Sequence, residues 1–247
     1  MRLKKQEQLT VYPVWDKTVR IFHWVNVLCV LGLIAVGTVI LNAKALGVTT
    51  DGKILLKTMH VYIGYVFAVN LAWRVVWGFI GSRYARWSAM LPVGAEYRAQ
   101  LRAFIEGAKL GRKVGFLGHN PIARLMVALL LLLLSIQALT GLVLAGTDVY
   151  MPPYGNTIKE WVATDQFTVE SVKPYSKEGI DEVAYKEMRD FRKPFITTHY
   201  YVFYILLVSI VLHLIGVVVT ELRERNGLVS AMLTGKKVFA EKPFDVD

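Results

Sequence analysis

Four of the five histidines in this 247-residue chain lie inside long apolar segments: His23, His60, His199 and His213. A neutral imidazole can offer one nitrogen lone pair to a metal while its other nitrogen keeps a proton. Ligating side chains are costly within hydrocarbon, so there they are functional candidates by default. Any one of them, taken alone, reads more simply as a packed or hydrogen-bonded residue. Their spacing changes that reading. His199 and His213 share one segment, fourteen residues apart. On a helix that is about 21 Å of rise and roughly four turns, so both face nearly the same way.

The segments that must position them are four apolar runs, at about residues 19–41, 59–80, 122–145 and 198–220. Each is long enough to span roughly 30 Å of hydrocarbon. The chain is 54% hydrophobic with a mean hydropathy of +0.41, too apolar for an ordinary soluble domain. The expected fold is therefore an all-α integral membrane protein. It is a four-transmembrane-helix bundle, with residues 1–247 forming a single domain.

The net charge of +10 does not point to nucleic acid, because the charge is segregated. Arg2, Lys4, Lys5, Lys17 and Arg20 precede or open the first run. Arg83, Arg86, Arg98, Arg102, Lys109, Arg112 and Lys113 follow the second, against only Glu96 and Glu106. The loop between the third and fourth runs carries nine acidic residues and seven Lys or Arg. The excess of positive charge on the cytoplasmic side of membrane proteins then makes 81–121 a cytoplasmic loop and 146–195 a periplasmic one. Both termini are placed in the cytoplasm. Basic residues on that side also offer contact with membrane lipid.

With this orientation, His23 lies near the cytoplasmic face, His60 and His199 near the outer face, and His213 back in the cytoplasmic half. The levels pair His60 with His199 and His23 with His213. Two imidazoles on opposite faces of an iron porphyrin make a low-spin centre suited to electron transfer, and helical bundles supply such pairs from facing helices. The expected cofactors are two non-covalent haem b groups, each held by two histidines. The single cysteine, Cys29, excludes an intramolecular disulfide and a Cys-x-x-Cys-His attachment.

Several other residues stand near the proposed ligands. Arg20 is three residues before His23, and Arg74 lies toward the cytoplasmic end of the second run. Either could hold a haem propionate or reach outward to lipid phosphate. Gly64 is one turn past His60, while Gly141 and Gly216 interrupt other runs; each could admit a macrocycle or a close helix. His119 falls in Gly118-His119-Asn120-Pro121, outside the ligand set at the cytoplasmic interface. A structural or headgroup-facing role is the plainer one there, contact with quinone or propionate the sharper one. Asn120 and Pro121 suit a helix start. Ala43-Lys44-Ala45 resembles a signal-peptide cleavage site, but the apolar stretch before it is too long and cleavage would discard His23.

Outside the runs, a short loop is expected from about Asn42 to Lys57. An amphipathic helix is expected near Ala95 to Leu110, with Tyr97, Leu101, Phe104, Ile105 and Ala108 on one face. It could lie on the membrane surface or against a partner. The outer loop should turn at Tyr150–Gly155 and form a short helix near Asp181 to Phe191.

The chain resembles the bacterial cytochrome b561 and nickel–iron hydrogenase cytochrome b subunit group, over essentially its whole length. The resemblance rests on Arg20-Ile21-Phe22-His23-Trp24, His60-x-x-x-Gly64, Trp73-Arg74 and Trp77-Gly78-Phe79-Ile80-Gly81-Ser82-Arg83-Tyr84-Ala85-Arg86. Gly118-His119-Asn120-Pro121 and the paired histidines of the last run complete it. It implies a four-helix cytochrome of the bacterial inner membrane with ligands at His23, His60, His199 and His213. It also implies a respiratory role, passing electrons between the quinone pool and a periplasmic redox partner such as a hydrogenase or a c-type cytochrome. The outer loop and the tail Gly227–Met232 look more like a branch associated with c-type cytochromes. A stand-alone quinol or superoxide oxidoreductase is an alternative. A histidine-based metal-ion transporter is a remote one, since the runs carry little carboxylate or thiolate.

Overall fold

The computed structural model describes residues 9–166 and 168–246. The orienting charges Arg2, Lys4 and Lys5 lie outside the described residues. The elements in chain order are β1 (Thr10–Pro13), α1 (Lys17–Leu41), α2 (Thr50–Ile80), α3 (Trp87–Met90), α4 (Gly94–Lys109), α5 (Pro121–Val149), α6 (Gly155–Val162), α7 (Glu182–Glu224), α8 (Leu228–Thr234) and β2 (Lys236–Phe239). Four of them, α1, α2, α5 and α7, are long and apolar enough to cross a membrane. Their apolar side chains are turned outward to an extent no aqueous surface would favour: Leu28, Val69, Phe79 and Leu139 are 67–71% exposed.

Helices α1, α2 and α5 begin where side chains cap them. Asp16 accepts the Val19 amide at 2.8 Å and starts α1. Thr49 accepts the Gly52 amide at 3.1 Å, so α2 starts at Thr50 and the expected loop to Lys57 is shorter. The polar residues Asp51, Lys53 and Lys57 hid these turns from a hydropathy reading. Asn120 accepts the Ala123 amide at 2.8 Å ahead of α5, as its motif suggested.

The larger departure is α7. The expected short helix and the last apolar run are one helix of 43 residues that continues through Pro194. Proline removes one backbone bond and costs about 3 kcal/mol in a helix interior. Anchors near it hold the segment. Asp181 caps the Val183 and Ala184 amides at 2.9 and 2.8 Å, Met188 is fully buried, and Arg192 pairs with Asp148. At 1.5 Å per residue α7 is about 65 Å long, twice the hydrocarbon thickness, so part of it must project beyond the bilayer.

The chain divides into two compact units. The first comprises residues 9–24, 72–132 and 207–246. Here β1 and β2 pair antiparallel, Thr10 opposite Phe239 and Pro13 opposite Lys236, an element the sequence reading did not anticipate. Around them Val14, Trp15, Leu117, Ala231 and Phe239 form a core. Lys237, 2% exposed, donates from Nζ to the carbonyls of Phe116 (3.3 Å) and Gly118 (3.1 Å). Burial pushes its ammonium down to about 8. In α4 the buried residues are Tyr97, Gln100 and Gly107, whereas Ile105 is 44% exposed. The buried stripe is therefore rotated from the expected apolar one. The cause is the chain doubling back after α4: a Cβ on Gly107 would lie 2.5 Å from Val114.

The second unit comprises residues 25–71 and 133–206. Part of it is built on Ile158, Val162, Val172 and Met188. Tyr150 packs against this cluster, and burial pushes its phenol up to about 12. Asp148 at the end of α5 takes ion pairs from both Lys57 of α2 and Arg192 of α7, and the three side chains are only 11–20% exposed. Removing one partner of a buried pair leaves uncompensated charge and costs roughly 3 kcal/mol or more. Asp148→Asn is expected to lower the stability of the purified protein by about 3 kcal/mol, read as a reduced thermal midpoint in detergent; an unchanged midpoint would mean that the triad contributes nothing.

Candidate functional site

In the second unit α2 and α7 bring His60 and His199 together, with ring centroids 6.4 Å apart and planes at 70°. The tautomer of His199 follows from its neighbours. The Thr140 hydroxyl donates to the Ile136 carbonyl at 2.7 Å. Its oxygen is then the acceptor for His199 Nδ1–H at 2.8 Å. That leaves Nε2 with its lone pair free to ligate. Glycines make room for both rings. A Cβ on Gly37 would lie 3.3 Å from His60 Cε1, and one on Gly141 would lie 3.4 Å from His199 Cε1. Nδ1 of His60 is enclosed without a hydrogen-bond partner.

In the first unit His23 on α1 and His213 on α7 are within electrostatic reach of each other. His23 Nδ1 is likewise enclosed and unpartnered. Arg74 is 4% exposed, so it does not reach outward to lipid. One Nη donates to the Ala85 carbonyl at 2.9 Å and to Met90 Sδ, while the other is enclosed with no partner. Its guanidinium also lies over Phe22 and Trp87, at 5.9 and 5.6 Å from the ring centroids. Arg20 donates to the Leu233 carbonyl, and its Nε is enclosed without a partner. One turn on, Trp24 donates to Met232 O at 3.0 Å. Both side chains thus engage the carbonyls of α8, a role with no signal in the sequence.

His119 packs on Trp15 with centroids 4.8 Å apart, and its Nδ1 is enclosed and unpartnered. Burial, then the charges of Lys237, Arg124 and Arg74, push its imidazole down to about 3, so it is neutral at physiological pH. Asp16 stands where α1, α2 and the loop after α2 meet, accepting Trp77 Nε1 at 3.1 Å and Ser82 Oγ at 2.6 Å. Burial raises the Asp16 pKa, but bonds from Ser82, Val19 and Trp77 outweigh it and hold the carboxyl below its ordinary value.

These residues fit a metal held by two imidazoles and a macrocycle. With metal–nitrogen bonds of about 2 Å and roughly 1.1 Å from nitrogen to ring centre, two imidazoles across one metal stand about 6 Å apart. The observed 6.4 Å is close to that. Among the described residues no three His, Cys, Asp or Glu side chains gather to complete a metal site made of protein alone. An iron porphyrin supplies four ligands of its own and needs only the two axial ones. A Cβ on Gly64 or Gly216, close in sequence to His60 and His213, would meet nothing within 4 Å. Neither position is closed off by protein atoms. The enclosed, unpartnered nitrogens of Arg74 and Arg20 suit an acid such as a propionate. The sequence reading missed Thr140 and Gly37. A hydroxyl in so apolar a run as the third could have drawn attention to Thr140.

A family model described as prokaryotic cytochrome b561 matches residues 14–235. A protein named "Probable Ni/Fe-hydrogenase 1 B-type cytochrome subunit" from Escherichia coli (strain K12) is 31% identical over 154 residues, 57% of this chain and 63% of the relative. The match therefore spans less than two thirds of that relative's length. Proteins named "Probable Ni/Fe-hydrogenase B-type cytochrome subunit" match more of the chain at lower identity. That of Cupriavidus necator is 24% identical, covering 92% of this chain and 87% of the relative. That of Rhizobium leguminosarum bv. viciae is 23% identical, covering 97% and 93%. No solved structure matches the chain significantly.

Two outcomes follow from this geometry. Thr140→Val removes the acceptor that fixes His199, and the loss of such a partner weakens metal affinity roughly 10–100-fold. Haem retention during purification should fall accordingly, and retention equal to wild type would count against the tautomer assignment. For His119, the pKa is depressed on folding, so between its ordinary 6.5 and about 3 the unfolded chain binds a proton that the folded chain refuses. Stability is then lost as pH falls through that window, by about 2 kcal/mol between roughly pH 7 and pH 5. Thermal melts at both pH values should show His119→Gln losing less than wild type.

Proposed function

The chain belongs to the prokaryotic cytochrome b561 family, and we propose that it carries electrons across the bacterial inner membrane through two b haems. It is a haem-binding, multi-pass membrane protein of b-cytochrome type. His60 and His199 would hold one haem, and His23 and His213 the other. The carrying observation is the first of these pairs: two imidazoles at a ligating separation, one with its tautomer set by Thr140. Bound haem supplies reversible one-electron chemistry at its iron. The protein contributes the rest. Thr140 holds His199 through Nδ1 and so aims Nε2, Gly37 and Gly141 leave room for the rings, and Arg74 and Arg20 offer donors to propionates.

Both termini would lie in the cytoplasm, with the loops after α2 on the same side; the segregation of basic residues supports this. The names of the relatives support a redox partner of hydrogenase type; it would act from the periplasmic side, and a c-type cytochrome fits the same chemistry. The quinone pool would exchange electrons at the cytoplasmic-side haem, where basic charge and His119 gather.

The test is haem counting followed by ligand removal. A pyridine haemochrome assay on purified protein should find two haems per chain, both six-coordinate and low-spin. His60→Ala and His199→Ala should lose the same haem, and His23→Ala and His213→Ala the other. Duroquinol should then reduce the outer haem of His23→Ala far more slowly than that of wild type. A single haem in saturated preparations, or the same spectrum from His60→Ala and His213→Ala, would overturn the pairing. A wild-type rate in His23→Ala would move the quinone site outward.

A further inference from the structure

A second cavity in the first unit has no part in either histidine pair. It measures about 180 Å³, and Arg83, Arg86, Ser88, Glu96, Arg124 and Asp245 are among its walls. Arg124 is the informative member. It is 3% exposed, and its Nε is enclosed with no hydrogen-bond partner. Its other contacts are long: Nη1 to the Ser88 carbonyl at 3.4 Å and Nη2 to Glu96 at 3.5 Å. Ordinary N–H···O bonds are about 2.7–3.2 Å. Glu96 is a poor counterion, 66% exposed at its side chain and already accepting Gln100 at 3.0 Å. A guanidinium has five donors, and burying them underused is costly.

The other walls say what charge would satisfy it. Both oxygens of Asp245 are committed to backbone amides, Leu117 at 2.6 Å and Gly118 at 2.8 Å. The Ala123 amide in the first turn of α5 is already taken by Asn120, so the arginines, not the helix end, carry the attraction. Three arginines stand among these walls beside the two carboxylates. The volume equals several water molecules at about 30 Å³ each, enough for a phosphate group. Guanidinium groups recognise phosphate oxygens bidentately.

Arg124 sits in the first turn of a membrane-length helix, and the ends of such helices are where protein meets lipid headgroups. From the same level Ile122, Leu125, Leu129 and Leu132, all at least 40% exposed, continue along α5 at helical spacing. An acyl chain could follow them. We propose that this cavity binds a phosphate monoanion, the phosphodiester of an anionic lipid headgroup, with Arg124 as the buried anchor and Arg83 and Arg86 at the mouth. Basic pockets beside transmembrane helices bind lipid headgroups by this chemistry.

Delipidated holoprotein, titrated with phosphatidylglycerol and separately with inorganic phosphate under native mass spectrometry, tests it. One phosphatidylglycerol per chain should be retained, and Arg124→Gln should weaken binding roughly tenfold, the equivalent of one charge-assisted bond. Arg83→Gln, on the exposed 3₁₀ turn, should weaken it in the same direction and guards against a folding defect at the buried site. Inorganic phosphate binding as tightly as the lipid, with the same arginine dependence, would overturn the lipid and assign the site to the free ion. Lipid retention unaffected by either substitution would overturn the site altogether.

Discussion

An imidazole within hydrocarbon can ligate only if it stays neutral and if one nitrogen is held while the other is aimed. Much of the second unit serves that requirement around His60 and His199. The Thr140 hydroxyl spends its hydrogen on the Ile136 carbonyl, and so must accept from His199 rather than donate to it. Gly37 and Gly141 place backbone where any larger residue would press on the rings. At the C-terminal end of α5 Asp148 gathers Lys57 and Arg192, which ties α2, α5 and α7 together through one carboxylate. That tie matters because His60 and His199 come from two of those helices. A sliding of one helix by a single residue would separate the rings.

The two units manage charge in opposite ways. In the second, buried cations meet a buried carboxylate. In the first, Arg74, Arg124 and Lys237 are each at most 4% exposed and rest chiefly on carbonyls, aromatic faces or a sulfur. Burial first, and then the field of these cations, pushes the His119 imidazole down to about 3. Where guanidinium donors such as those of Arg74 and Arg124 are enclosed without an acceptor, an anion that the chain does not itself encode can satisfy them. Haem propionates and lipid phosphates are both anions of that kind.

Much of this architecture was legible in the sequence, because bilayers reward one signal above others. The four membrane-length helices and the helix start at Asn120–Pro121 follow directly from apolar length and cap chemistry. The closeness of His60 and His199 followed from counting residues along helices of fixed rise. What escaped lay where water or tertiary packing decides. Hydropathy could not see the polar turns before Met59, nor that α7 would continue through Pro194 once Asp181, Met188 and Arg192 were anchored. The β1–β2 pair joins short segments at opposite ends of the chain, with no local pattern to announce it. Arg20 was expected beside a cofactor, and its hydrogen bond to Leu233 depends on a helix more than two hundred residues away.

That long-range closure sets an order of assembly. Every residue of the second unit lies before residue 207, so all of it is synthesised before the last stretch of the first unit is made. His60 and His199 are then both available, whereas His23 must await His213. The strand that pairs with β1, the lysine that holds the Phe116–Gly118 carbonyls and the aspartate that holds the neighbouring amides come later still. The chain therefore completes its two histidine pairs one after the other, the His60–His199 pair first.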